Sequence, residues 1–246
     1  MRNFIAIFIL ISSQTLLAQD DNSLNTTLTF YAQDSVIITA DTYYIKDVKP
    51  TVLLCHQAGF SRGEYIETAK KLNALGFSCM AIDQRSGKEV NGIVNQTALD
   101  AINKSKNVGY SGAKKDVVAA INYLYTLNGG QPIILVGSSY SASLALWIAS
   151  ENKKVKAVAA FSPGEYLTNL NLAATIKTIN IPAFVTSSKR EIGPVEKLLR
   201  FVDPKYYTHY KPIEKGIHGS RALWTTTNGY AGYWNAFEQF IVAQKE

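Results

Sequence analysis

Gly137-Ser138-Ser139-Tyr140-Ser141 is the stretch where residue type and spacing point most directly to chemistry. It is a Gly-x-Ser-x-Ser turn with Ser139 at its centre. The apolar run Ile133-Ile134-Leu135-Val136 precedes it, and a small-residue helical stretch, Ala142 to Ser150, follows. A serine on a sharp strand-to-helix turn stands clear as a nucleophile. Small residues two before and two after it are needed, because a larger Cβ would strike the adjoining strand or helix. A hydroxyl alone is a weak nucleophile and needs a base, itself oriented by a carboxylate. The chain has three histidines. His209 lies inside a strand pattern beside Tyr207 and Tyr210 and reads as structural. His56 ends an early strand. His218, in Ile217-His218-Gly219-Ser220 after the last strand, can reach across the carboxyl edge of a sheet and is the candidate base.

The elements that must position these residues follow from hydrophobic patterning. Asn25 to Tyr31 and Val36 to Ile45 alternate around Gln33-Asp34-Ser35 and predict a β-hairpin. Continuous apolar runs at Thr51 to Cys55, Phe77 to Ile82, Ile133 to Val136, Val155 to Phe161 and Pro182 to Thr186 predict strands buried on both faces. A weaker strand is expected over Thr208 to Lys215. Helical spacing runs over Glu64 to Leu75, from Ser111 or Gly112 to Leu124, over Val195 to Phe201 behind Pro194, and over Gly232 to Gln244. Glu89 to Gly112 reads as a long loop with a short helical piece around Thr97 to Asn103. Alternating strands and helices imply right-handed crossovers and a mostly parallel sheet with helices on both faces. The site then belongs at the carboxyl ends of the strands.

The order of elements, the elbow at Ser139 and His218-Gly219 in the last loop resemble the α/β-hydrolase superfamily across the whole mature chain. The small layout, with the hairpin first and no large lid, resembles dienelactone hydrolases and related small serine esterases. Ser141 is a departure, since glycine is usual there. The resemblance implies a triad in the order serine, acid, histidine. The acid follows the strand Pro182 to Thr186, where Glu191 is the only carboxylate in Ser187-Ser188-Lys189-Arg190-Glu191. Asp203 is the alternative, and Glu191 could instead be a plain helix-start acid. The resemblance also implies an oxyanion hole from the Tyr140 N–H and from the loop His56-Gln57-Ala58-Gly59, with Gln57 the first choice as donor and Ala58 the second. His56 would shape that loop. Phe60, Tyr110, Tyr140 and Tyr166 could wall the pocket, and Arg62 or Arg85 could meet an anionic substrate.

The expected activity is hydrolysis of a carboxylic ester or related acyl bond through an acyl-enzyme, with no metal and no organic cofactor. The alternatives are a peptidase or amidase using the same triad, or a non-catalytic binding module on this scaffold. The expected partner is a small-molecule acyl substrate. Net charge is +6, and the lysines at 104, 106, 114 and 115 lack the aromatic interleaving of a nucleic-acid surface. Met1-Arg2-Asn3, the apolar stretch from Phe4 and Leu16-Leu17-Ala18 read as a secretory signal peptide over residues 1–18. A secreted or periplasmic single domain, residues 19–246, is expected, with no membrane association after signal removal. Cys55 and Cys79 fall in neighbouring buried strands and are expected to be free thiols.

Overall fold

The computed structural model describes residues 23–245, so the signal peptide expected over residues 1–18 lies outside the described residues. The N-terminal half runs β1 (Ser23–Tyr31), β2 (Ile37–Ile45), β3 (Pro50–Cys55), α1 (Ile66–Ala74), β4 (Ser78–Ile82), β5 (Glu89–Val90), β6 (Ile93–Val94), α2 (Gln96–Asn103) and α3 (Tyr110–Leu127). The C-terminal half runs β7 (Ile133–Ser138), α4 (Tyr140–Ala149), β8 (Val155–Phe161), α5 (Leu172–Thr175), β9 (Ala183–Thr186), α6 (Ile192–Leu199), β10 (Tyr207–Tyr210) and α7 (Tyr230–Val242). Eight strands form one sheet in the order β1-β2-β4-β3-β7-β8-β9-β10. β2 is antiparallel to β1 and β4, and the remaining pairs are parallel.

Alternation along the strands divides the core in two. Leu53 of β3 and Ile133 and Leu135 of β7 pack with Val117 and Ile121 of α3, Ala142 and Ala145 of α4, and Val195 and Leu198 of α6. Val52, Leu54, Ile134 and Val136 face the other way, onto Ala69 and Leu72 of α1 and Tyr233, Phe237 and Ile241 of α7. Coverage on both faces is why these strands are unbroken apolar runs. Cys55 and Cys79 are buried free thiols on the neighbouring strands β3 and β4; Cys79 pairs with Val52 and Cys55 with Ile82, so the two are offset along the sheet.

Two stretches depart from expectation. The segment read as a loop after Glu89 contains the β5–β6 hairpin. Its turn is Asn91-Gly92, both at positive φ (53° and 74°), the pairing that a two-residue hairpin turn favours. The last strand stops at Tyr210 and does not reach Lys215; Pro212 has no N–H to donate to a ladder. From β3 the chain goes outward to β4, then returns to β7 on the other side of β3. That reversal opens a crevice at the carboxyl ends of β3 and β7. The loop from His56 and the turn at Ser139 meet there.

Candidate active site

Ser139 follows the last residue of β7 and precedes the first of α4. Its backbone is at φ 59° and ψ −122°, a left-handed conformation rare for a residue with a side chain. A Cβ on Gly137 would run into the Ser141 carbonyl, which explains the glycine there. At position 141 the serine side chain is used. Its hydroxyl accepts from the Ser138 N–H at 2.8 Å and lies 2.7 Å from the Cys55 carbonyl oxygen, to which it donates. The departure from glycine therefore ties the elbow to the end of β3.

His218 lies in the loop after β10, with Nε2 2.8 Å from Ser139 Oγ and Nδ1 2.5 Å from Glu191 Oε1. A carboxylate accepts, so Nδ1 carries the proton and Nε2 accepts from the Ser139 hydroxyl. Glu191 divides its oxygens. Oε1 takes His218, while Oε2 accepts from the Ser188 N–H (3.0 Å), the Ser188 hydroxyl (2.7 Å) and the Ser162 hydroxyl (2.9 Å). The helix-start role and the contact with histidine thus coexist in one side chain. Burial pushes the Glu191 carboxyl up, but the bonds from His218, Ser188 and Ser162 prevail and hold it down at about 2. Asp203 is exposed, caps its own turn through the Lys205 N–H and pairs with Lys205. Ser162, which no local pattern signals, also accepts from the Gly219 N–H at 3.0 Å and so joins the acid to the histidine loop.

The loop after β3 is locked from several sides. His56 is fully buried and uncharged, its imidazole pushed down to about 4 by burial. Its Nε2 accepts from the Gln84 N–H (2.9 Å) and Asn95 Nδ2 (3.0 Å), so Nδ1–H donates to the Gln57 carbonyl at 2.7 Å. His56 thus faces away from Ser139 chemistry and fixes the loop. The trans peptide is planar, so holding the Gln57 carbonyl aims the Ala58 N–H to the opposite side. The two amides expected in this loop then differ. The Gln57 N–H donates to Glu64 Oε2 at 2.7 Å and is not free to meet a substrate. The N–H groups of Ala58 and Tyr140 have no hydrogen-bond partner among the described residues.

Glu64, read from sequence as the first residue of an amphipathic helix, is fully buried in a 3₁₀ turn ahead of α1. Besides Gln57 it accepts from the Ser138 hydroxyl (2.7 Å) and the Ser220 hydroxyl (2.6 Å), and the Ser220 N–H donates to Ser138 Oγ at 2.8 Å. Burial pushes its carboxyl up against those bonds.

Of the expected aromatic wall, Tyr166 meets the His218 ring edge-on, with centroids 6.4 Å apart. Tyr110 is partly exposed and stacks on Tyr140 at 4.5 Å. Tyr140 itself is buried, and Phe60 lies under Arg221. The two arginines are not available to an anionic substrate. Arg62 pairs with Asp83 and Asp41, and Arg85 with Asp34 and Asp116.

A serine on a strained strand-to-helix turn, in the crevice of a mostly parallel sheet with an antiparallel N-terminal hairpin, defines an α/β-hydrolase. The chain belongs to the family described as serine aminopeptidase, S33, whose model matches residues 46–210 and so makes it a serine hydrolase. That span includes Ser139 and Glu191 and ends before His218. A comparison with curated proteins finds no match. Among solved structures, an esterase from Pyrococcus furiosus is similar at 16% identity and a TM-score of 0.71, over 92% of this chain and 94% of that one. A dienelactone hydrolase from Anabaena variabilis is similar at 13% identity and 0.68, over 90% and 98%. A cold-adapted esterase from an Arctic intertidal metagenomic library is similar at 18% and 0.65, over 89% and 94%. At these identities the likeness is one of fold.

Proposed function

We propose that the protein hydrolyses a carboxylic ester or related acyl bond through Ser139, His218 and Glu191. The observation that carries this reading is the unbroken hydrogen-bonded line from Ser139 Oγ through both imidazole nitrogens to Glu191. Ser139 Oγ attacks the carbonyl carbon as its proton passes to His218 Nε2. The carbonyl oxygen becomes an oxyanion, held by the N–H groups of Tyr140 and Ala58, the second of which takes the place first expected for Gln57. The oxyanion collapses, the bond to the leaving group breaks, and the leaving group takes the proton from Nε2. Water then attacks the acyl-enzyme by the same route and frees Ser139. Glu191, ionised down to about pH 2, keeps the proton of the resting imidazole on Nδ1. No step needs a cofactor or a metal. The signal-like pattern of residues 1–18 supports action outside the cytoplasm, on a small acyl substrate in solution.

A fluorophosphonate probe should label the wild type and not Ser139→Ala, with loss of p-nitrophenyl ester hydrolysis in the same variant. A folded wild type that takes no label and turns over no ester would overturn the reading. The family description raises a second one, hydrolysis of an N-terminal amide. Equal or better turnover of aminoacyl p-nitroanilides than of esters would favour it.

A further inference from the structure

We infer that the substrate carries an uncharged apolar limb, and that this limb lies in the cleft over α2. The inference rests on the acyl-hydrolase reading above and adds the class of substrate. The cleft has a volume of about 540 Å³, within the usual range for small-molecule sites. Val94, Leu99, Ile102, Val108 and Tyr110 line it, and all five are more than a third exposed; Ile102 reaches 58%. Apolar side chains gathered in one concavity and left to water mark a binding surface. Ala58, whose own N–H has no partner among the described residues, is one of the residues lining the cleft. Tyr110 stacks on Tyr140, the residue after Ser139. The floor is fastened to the oxyanion loop: Asn95 caps α2 through the Ala98 N–H, while its Nδ2 donates to His56 Nε2 and to the Phe60 carbonyl. The charges nearby do not call for a charged ligand. Arg85, which borders the cleft, is neutralised by Asp34 and Asp116. Lys88 and Glu89 stand next to each other in the lining with opposite signs.

The test uses two ester series, p-nitrophenyl alkanoates from acetate to octanoate and alkyl acetates from methyl to octyl. These lengthen the acyl and the alcohol limb separately. In one series kcat/KM should rise along the chain, by up to about fourfold per methylene if burial is complete. The octanoate-to-acetate or octyl-to-methyl ratio should collapse in Leu99→Asp/Ile102→Asp, whose two positions are exposed. Leu99→Trp should move the best substrate to a shorter chain. Flat profiles in both series with fluorophosphonate-labelled wild type, a ratio unchanged in the double variant, or preference for an anionic hemisuccinate would each overturn the inference and leave the hydrolase reading standing. Absence of label and of turnover would overturn both.

A separate observation concerns Glu64, and we infer that it is a positioning residue for the same reaction. One buried carboxylate receives a bond from each of three segments: the oxyanion loop at Gln57, the end of the nucleophile strand at Ser138 and the histidine loop at Ser220. These segments come from distant parts of the chain and must agree within a fraction of an ångström. Glu64→Gln keeps the shape but puts an N–H₂ where an acceptor stood. With active sites titrated by fluorophosphonate, kcat per site should fall by up to about 10²-fold with KM little changed, since small misplacements act on the reacting geometry. Ser138→Ala and Ser220→Ala each cut one tie and should lower kcat by smaller steps, which keeps the test open if Glu64→Gln does not fold. An unchanged kcat per titrated site across the folding variants would overturn this role and leave a purely structural one.

Discussion

Glu191 serves a helix start with one oxygen and an imidazole with the other, and its charge is tied to folding. Its carboxyl sits at about 2 in the folded chain against an ordinary 4.5. The folded state thus binds this proton less readily than the unfolded one, and the group adds stability that is full above pH 4.5. That contribution drains away as pH falls towards about 2. Thermal melts of wild type and Glu191→Gln should therefore differ most near neutrality and converge as the solution is acidified through that window. Removing the orienting carboxylate should also lower kcat by about 10⁴-fold, as loss of a triad acid does elsewhere. Asp203→Asn, at an exposed turn, should retain wild-type turnover of a p-nitrophenyl ester. The two thiols give a simpler expectation. Burial raises both Cys55 and Cys79 well above the usual thiol range. Neither should react with a thiol reagent in the native protein, and both should react once denaturant unfolds it.

At the scale of elements, the loops around the site are tied together by buried ion pairs. The Arg85 guanidinium meets Asp116 of α3 and Asp34 of the β1–β2 turn, and Asp116 is fully buried. Arg85→Met would leave the Asp116 carboxylate in the core without its partner, at a cost of about 3–5 kcal/mol. Calorimetry should register that as a fall in melting temperature on the order of 10 °C. This pair also shows where sequence reading ends. The apolar runs gave away β3, β4, β7, β8 and β9, because burial on both faces leaves a local mark. The elbow and the loop holding His218 were legible because strand-end residues are bounded by turn chemistry. Glu191 followed from the resemblance, which puts the acid in the loop after β9. Arg85 and Arg62 read as surface or ligand-facing charges, since nothing near them in sequence names Asp116, Asp34 or Asp83. Glu64 and Ser162 were opaque for the same reason, as their partners arrive from other loops. The choice between Gln57 and Ala58 turned on the orientation of one peptide plane, set by a buried imidazole. Asn91-Gly92 and Pro212 are local signals, the first of a hairpin turn and the second of a strand end.

For the whole molecule, the sheet is the device that makes the site. His218 meets Ser139 across 79 residues of sequence, and Ser220 meets Glu64 across 156. Contacts of such range form late, because loop-closure entropy is lost before they repay it. On refolding from denaturant, hydrolytic activity should return together with the last phase of tryptophan fluorescence, to which Trp224, with its indole N–H on the Glu64 carbonyl, contributes. Activity that returned ahead of that phase would mean the site can assemble on a partial sheet.

Glu64's bond to Ser220 has a bearing on time as well as geometry. Synthesis runs from the N-terminus, so the oxyanion loop and Ser139 are made before the imidazole of His218 and its loop's tie to Glu64. A nascent chain therefore carries Ser139 as a plain hydroxyl, a weak nucleophile, until His218 is made and docked. On the proposed triad, hydrolysis waits for the histidine loop to be made and to dock on Glu64.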